Sequence, residues 1–247
     1  MSTDDAACDL LVFGAHPDDA ELCSGGLLAK TAAQGRRTAV VDLTRGELGS
    51  LGTPEIRAEE AEAAAKVLGL SRRIQLGLPD GGVEDTIENR RAVVRIVREL
   101  RPQVVVGPPV EDHHPDHVAT AHLLRNSFYL CGIKKFEPEF PAHKPGALLH
   151  HFSSRAMKPD LVVDVSEVFE QRMAAVRCYQ SQFGARQEEG STLRIASKDF
   201  LSSIEATLKY FGSLIGKPYG EPFTTAGPLP VEDVVGLFGH EPWKDRP

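Results

Sequence analysis

Four cysteines in 247 residues, no two of them close together, exclude a disulfide scaffold and a Cys-x-x-Cys metal or redox motif. Cys8, Cys23, Cys131 and Cys178 read as reduced thiols. No apolar run approaches the roughly 18 residues that a membrane span needs. Met1-Ser2-Thr3-Asp4-Asp5 also lacks the basic start of a secretory signal, so a cytoplasmic protein is expected. A basic block is missing as well. Lys and Arg number 28 against 35 Asp and Glu, a net charge of −7, and the basic residues are scattered, which argues against nucleic acid or an anionic membrane as partner. There is no internal repeat and no low-complexity segment. The length suffices for a sizeable core, and a single domain over residues 1–247 is expected.

What the chain does contain is an apolar run that stops at chemistry. Leu10-Leu11-Val12-Phe13-Gly14 leads into Ala15-His16-Pro17-Asp18-Asp19. A short uninterrupted apolar run reads as a strand buried on both faces, as in a parallel sheet. The pattern recurs where Val104-Val105-Val106-Gly107 runs through Pro108-Pro109 into His113-His114-Pro115-Asp116-His117. Open α/β sheets bind ligands beyond the carboxyl ends of their strands, so both clusters are placed to pool their side chains. No Gly-x-Gly-x-x-Gly follows the first strand, which argues against a dinucleotide there.

Between the clusters, strand and helix alternate. Ser24-Gly25-Gly26 is expected to open a helix over residues 27–33, which Gly35 ends. Thr38-Ala39-Val40-Val41-Asp42-Leu43 is the second strand, followed by a polar glycine-rich loop over residues 44–52. Thr53 and Pro54 predict a helix start and Gly69 its stop. A strand at residues 73–76 follows. Asp85 with Glu88 resembles a capping box, ahead of a helix with Val93, Ile96, Val97 and Leu100 on one face. This alternation means a doubly wound, mainly parallel α/β sheet flanked by helices.

The second half is less regular. Strands are expected at residues 147–152 and 161–165, a helix capped by Ser166 and running through Tyr179, and another over residues 198–214. Residues 221–247, rich in proline and without helical period, are expected to wrap the surface or meet another subunit.

The chemistry points to a metal-dependent hydrolase. Catalytic zinc typically takes three ligands from His, Asp or Glu and keeps one position for water. His16 and Asp19, three apart on a loop entering a helix, can grip one ion together. His117, one turn into the helix that Pro115 starts, is the natural third ligand. His114 and Asp18 are then left beside the metal, as oxyanion donor and general base. Asp116 is expected to hold His114 in its charged form, and Arg57 to reach the site mouth from the first turn of its helix. His122, His143, His150, His151 and His240 read as surface or packed residues, and His113 lacks the spacing.

The two histidine motifs together resemble the zinc-dependent N-acetylglucosamine deacetylases of the LmbE/PIG-L family. Thr44-Arg45-Gly46-Glu47-Leu48-Gly49 with Arg57 resembles that family's substrate loop. Tyr179-Gln180-Ser181-Gln182-Phe183 and Gly216-Lys217-Pro218-Tyr219-Gly220-Glu221-Pro222-Phe223 resemble its bacillithiol-pathway branch. Gln180, and Phe211-Gly212-Ser213-Leu214 in place of a basic glycine-rich segment, depart from that branch.

The resemblance implies a Rossmann-like core and zinc on His16, Asp19 and His117, with iron(II) as the alternative in the cell. It also implies catalysis by Asp18 and His114 with Asp116 alongside, substrate contacts from Arg57, Asp80 and Glu47, and a homohexamer. The implied substrate is N-acetylglucosaminyl malate. A mycothiol-type conjugate, a chitooligosaccharide, or a non-catalytic sugar-binding role are the rival readings.

Overall fold

The computed structural model describes residues 7–152, 158–184 and 199–233. Seven strands form one sheet: β1 (Leu10–Gly14), β2 (Thr38–Asp42), β3 (Arg72–Gln75), β4 (Val104–Gly107), β5 (Ala147–His151), β6 (Leu161–Asp164) and β7 (Gly220–Thr225). Their order is β3-β2-β1-β4-β5-β7-β6. The first five run parallel, and β7 is antiparallel to both its neighbours. The helices are α1 (Asp19–Ala33), α2 (Pro54–Leu68), α3 (Ile87–Leu100), α4 (Pro115–Leu130), α5 (Phe169–Arg177), the short α6 (Gln180–Phe183) and α7 (Phe200–Ser213).

The unbroken apolar runs exist because the sheet is covered on both faces. Successive side chains of a strand point to opposite sides. Leu11 and Phe13 of β1 therefore pack with Val93, Val97 and Leu100 of α3 and Leu123 of α4. Leu10 and Val12 pack with Leu28 of α1, Ala64 and Leu68 of α2 and Ala175 of α5. Strand order reverses between β1 and β4, which are hydrogen-bonded neighbours. That switch point opens a crevice at their carboxyl ends, where both histidine clusters emerge. Among the described residues, no helix is long and apolar enough to cross a membrane.

The helix signals of α2 hold in detail: Thr53 Oγ1 accepts from Ile56 N at 3.3 Å, Pro54 takes the first helical position, and Gly69 closes the helix at φ 71°. Elsewhere the structure departs from expectation. α1 begins at Asp19, and Gly25-Gly26 lie inside it. These glycines admit close neighbours: a Cβ on Gly25 would come within 2.9 Å of Arg172 Cγ, and one on Gly26 within 2.7 Å of Val165 Cγ1. Thr86, not Asp85, caps α3, because the Asp85 carboxylate is taken by Arg90. Ser166 is itself held by Asp164 and starts a 3-10 turn, and α5 stops at Arg177.

The largest departure is β7, which inserts between β5 and β6 where a surface wrap was expected. It is held by a buried polar interaction that hydrophobic periodicity does not register. Glu221 accepts from the amides of Gly26 and Leu27, both at 2.7 Å, and from Arg172 Nε at 3.1 Å. The last part of that expected wrap, residues 234–247, lies outside the described residues.

Candidate metal centre

The loop after β1 is folded by its own polar groups. His16 N donates to Asp19 Oδ2 at 2.9 Å, which draws the two residues onto one side of the turn. Asp18, between Pro17 and the first residue of α1, sits at φ 115°. That left-handed backbone is costly for a residue with a side chain and persists only where its surroundings enforce it. After β4, His114 caps α4: its Nδ1 accepts from Asp116 N at 3.3 Å, and His117 follows one turn later.

These elements bring three imidazoles together, with ring nitrogens of His16, His114 and His117 within 4.8 Å of one another. The Asp19 carboxylate bridges two of them. His16 Nδ1 lies 3.5 Å from Oδ2, and His117 Nε2 lies 3.3 Å from Oδ1. The outer nitrogens are held by carboxylates too. His16 Nε2 is 3.0 Å from Asp80 Oδ1 and 3.2 Å from Asp116 Oδ2, and His117 Nδ1 is 3.1 Å from Asp112 Oδ2. An ionised carboxylate only accepts, so the outer nitrogens donate and the inner lone pairs of His16 and His117 turn towards Asp19 when the rings are neutral.

Two such imidazoles and a carboxylate, each ring braced from behind, fit a divalent metal ion. The charge balance agrees, since Asp18, Asp19, Asp80, Asp112 and Asp116 crowd around the three rings. Without a metal, protons must supply the missing positive charge. Burial disfavours the charged His16 ring, but hydrogen bonds to Asp19 and Asp80 outweigh it and push its pKa up to about 11. His117 is raised in the same way to about 10, by Asp19 and Asp112.

His114 differs from its neighbours. Its Nδ1 accepts a hydrogen bond, which leaves the ring proton on Nε2 and makes that nitrogen a donor, not a ligand. Burial, and then the charges of His16 and His117, lower its pKa. Asp18 moves the other way. Burial pushes its pKa up to about 7, although the Arg57 guanidinium, 3.1 Å from its Oδ2, opposes the rise.

Two expected placements do not hold. The Asp116 carboxylate is turned away from the His114 ring; it accepts from Gly81 N and Val83 N and faces His16 Nε2. Arg57 is not at the mouth but buried, because its guanidinium is taken up by Pro17 O, Asp18 and Gly46 O. Asp80 and Glu47 are linked to each other, Asp80 N donating to Glu47 Oε1 at 3.0 Å, while Leu48 N donates to Asp80 Oδ2 at 2.8 Å. Sequence reasoning assigned no role to Asp112, which braces His117 and accepts from His114 N at 3.0 Å. Its only signal was an acidic residue just ahead of the histidines.

The model of the PIG-L family, described as GlcNAc-PI de-N-acetylase, matches residues 11–128, which include every residue of this cluster. Among solved structures, the conserved protein TT1542 from Thermus thermophilus is 39% identical, with a TM-score of 0.82 over 92% of this chain and 97% of its own. The diacetylchitobiose deacetylase of Thermococcus kodakarensis is 29% identical across 94% of this chain and 85% of its own length. A probable N-acetyl-alpha-D-glucosaminyl L-malate deacetylase of Bacillus cereus is 26% identical across 81% and 93%. The chain spans about half the length of the inositol-glycoside deacetylases that it also matches.

Proposed function

The chain belongs to the PIG-L family of de-N-acetylases, and from that premise we propose a zinc-dependent hydrolase that removes the acetyl group from N-acetylglucosaminyl malate, on the route to bacillithiol. The observation that carries the chemistry is the convergence of His16 Nδ1 and His117 Nε2 on the Asp19 carboxylate. These three residues would hold the metal, zinc or, in the cell, iron(II). A divalent ion bound there supplies a Lewis acid for the acetyl carbonyl and makes water a nucleophile near neutral pH.

The protein's own groups do the rest. Asp18, with a pKa raised to about 7, is suited to take the proton of the attacking water. His114 is neutral and carries its proton on Nε2, so it donates to the oxygen on which negative charge develops. Collapse releases an amine that needs a proton, and Asp18 has just acquired one. Asp80 and Asp116 keep His16 oriented, and Asp112 does the same for His117. Glu47 stands exposed on the loop beside Asp80, where it can reach a sugar hydroxyl.

Resemblance of residues 179–183 and 216–223 to the bacillithiol branch supports the malate glycoside. The diacetylchitobiose deacetylase, matched across most of its length, favours a chitooligosaccharide as the second substrate reading. Acetate release from N-acetylglucosaminyl malate, diacetylchitobiose and an N-acetylglucosaminyl inositol, with metal analysis of the purified protein, separates them. A tenfold or greater preference in kcat/KM for malate is expected, and protein without metal or acetate release would refute the proposal. The same reading carries a homohexamer, which light scattering on the purified protein checks.

A further inference from the structure

Leu48 is the most exposed large apolar side chain among the described residues, at 70%. A scattered surface leucine is ordinary. This one stands on backbone that is held at every point. At the root of its loop, Thr44 Oγ1 donates to Ala15 O at 2.9 Å and accepts from Gly46 N at 3.2 Å. The tip turns on itself, Gly49 N donating to Gly46 O at 3.0 Å, and Gln182 Nε2 fixes the far end by donating to Leu51 O at 2.8 Å. Leu48 N itself donates to Asp80 Oδ2, and the other oxygen of that carboxylate accepts from His16 Nε2. The leucine is thus two hydrogen bonds away from the His16 ring.

The side chain is seated as specifically as its backbone. Leu48 Cδ1 lies against Gly81, where a Cβ would come within 2.8 Å of it, and Gly81 N donates to Asp116 Oδ2, the oxygen that also faces His16. One flank of the leucine therefore rests on the turn that braces His16, and the remainder is open. Beside it, the Glu47 oxygens accept from Asp80 N and Arg45 N. A carboxylate has about four lone-pair sites, so Glu47 keeps acceptors for a hydroxyl. A fixed apolar surface flanked by such acceptors matches a pyranose. N-acetylglucosamine carries its hydroxyls around the ring edge and turns C–H groups to both faces, so its recognition needs acceptors at the edge and apolar contact on a face.

We infer that Leu48 determines recognition of the sugar: it packs against the C–H face of the N-acetylglucosamine ring, while Glu47 takes a ring hydroxyl. This rests on the proposed deacetylation of an N-acetylglucosaminyl conjugate and concerns the sugar that all the candidate conjugates share. The contact is present in ground state and transition state alike. It therefore acts on KM and leaves kcat alone.

The test uses the zinc-loaded full chain with free N-acetylglucosamine and with the conjugate that the wild type hydrolyses best. Leu48→Ala should raise KM about tenfold on both, with kcat within about threefold and metal content unchanged. Leu48→Asn, similar in size but polar, should do the same, whereas Leu48→Met should hold KM within about threefold of the wild type. An unchanged KM in Leu48→Ala would overturn the inference. So would a loss confined to the conjugate, which puts the leucine on the aglycone, or a loss confined to kcat. Because the side chain is largely exposed, Tm should move by less than about 2 °C. A drop of about 5 °C or more would make Leu48 a packing residue and count against the contact.

Saturation-transfer NMR with glucosamine, which carries no acetyl group to remove, gives a readout that needs no turnover. Irradiating the methyl resonances of zinc-loaded wild-type protein should pass saturation to the ring C–H protons of the sugar, and Leu48→Ala should lose most of that transfer. Equal transfer in the two proteins, or none in the wild type, would overturn the inference. Wild-type protein that releases no acetate defeats the deacetylase proposal instead, while the transfer still decides whether Leu48 touches the sugar.

Discussion

Two arginines are buried at opposite edges of the sheet, and they are buried differently. Arg98, near the end of α3, donates to six carbonyls: Leu130, Cys131, Ile133, Phe136, Glu137 and Phe140. All three of its nitrogens are used, and the group closes the carboxyl end of α4, where a helix leaves its last carbonyls unpaired. Arg57, at the edge where β1 and β4 end, has one carboxylate partner and an Nε without a partner among the described residues. A fully satisfied buried cation holds architecture; an incompletely satisfied one marks a place where the fold has kept polar capacity for chemistry. The cluster of His16, Asp19 and His117 lies on the same edge as Arg57.

If the contrast is sound, substitutions at the two edges should separate activity from stability. His117→Ala and Asp19→Ala come first, as two remaining ligands hold a metal poorly. Both should lose metal and fall to background activity together, which metal analysis and acetate release read on the same sample. Full metal with full activity in His117→Ala would remove it from the ligand set. Asp18→Asn sharpens the comparison inside the site edge. It should keep its metal and lose on the order of 10²–10⁴ in kcat, the usual contribution of a positioned base.

Arg98→Ala probes the other edge. It removes a donor from all six carbonyls, of which Leu130, Cys131, Ile133 and Glu137 still accept from backbone amides. Stripping the rest of a buried partner costs about 2–4 kcal/mol. Urea unfolding should show that loss, while kcat per folded molecule stays at the wild-type value. A kcat defect without lost stability would erase the distinction between the two edges.

Sequence reached the parts of this molecule that repeat a local rule. β1 and β2 were legible because burial on both faces leaves an unbroken apolar run, and α2 because Thr53, Pro54 and Gly69 act on their own backbone. The meeting of His16 and His117 at Asp19 was legible because both histidine clusters follow buried strands that end at one edge of the sheet. β7 was not, since a strand anchored through a buried Glu221 has no alternation to detect. The inward course of Arg57 was equally hidden. It depends on Gly46 and Gly49, well upstream in the chain, leaving space for a guanidinium. Asp112 was lost among ordinary loop acids, because bracing His117 from behind has no fixed sequence spacing.

His151 gives the contrast its smallest and most specific test. It ends β5 opposite Phe223 of β7, is 1% exposed, and neither ring nitrogen has a hydrogen-bond partner among the described residues. It shares incomplete satisfaction with Arg57, not the closed arrangement of Arg98. Burial pushes its pKa down to about 4, with the negative charge of Asp19 opposing. An unfolded histidine titrates near 6.5, so below that pH the unfolded chain binds a proton that the folded one refuses. The stability tied to the neutral ring is therefore complete above about pH 6.5 and is lost as pH falls towards 4. Between pH 7 and pH 5 the loss is on the order of 2 kcal/mol. His151→Phe fills a similar volume and cannot titrate, so its urea-unfolding free energy should fall less over that interval than the wild type's by about this amount. Metal-free protein suits the measurement, because His16 and His117 are present in both chains and their titration cancels in the difference. Parallel profiles would mean that the His151 ring is satisfied after all, and would place it with Arg98 among the groups that only hold the fold.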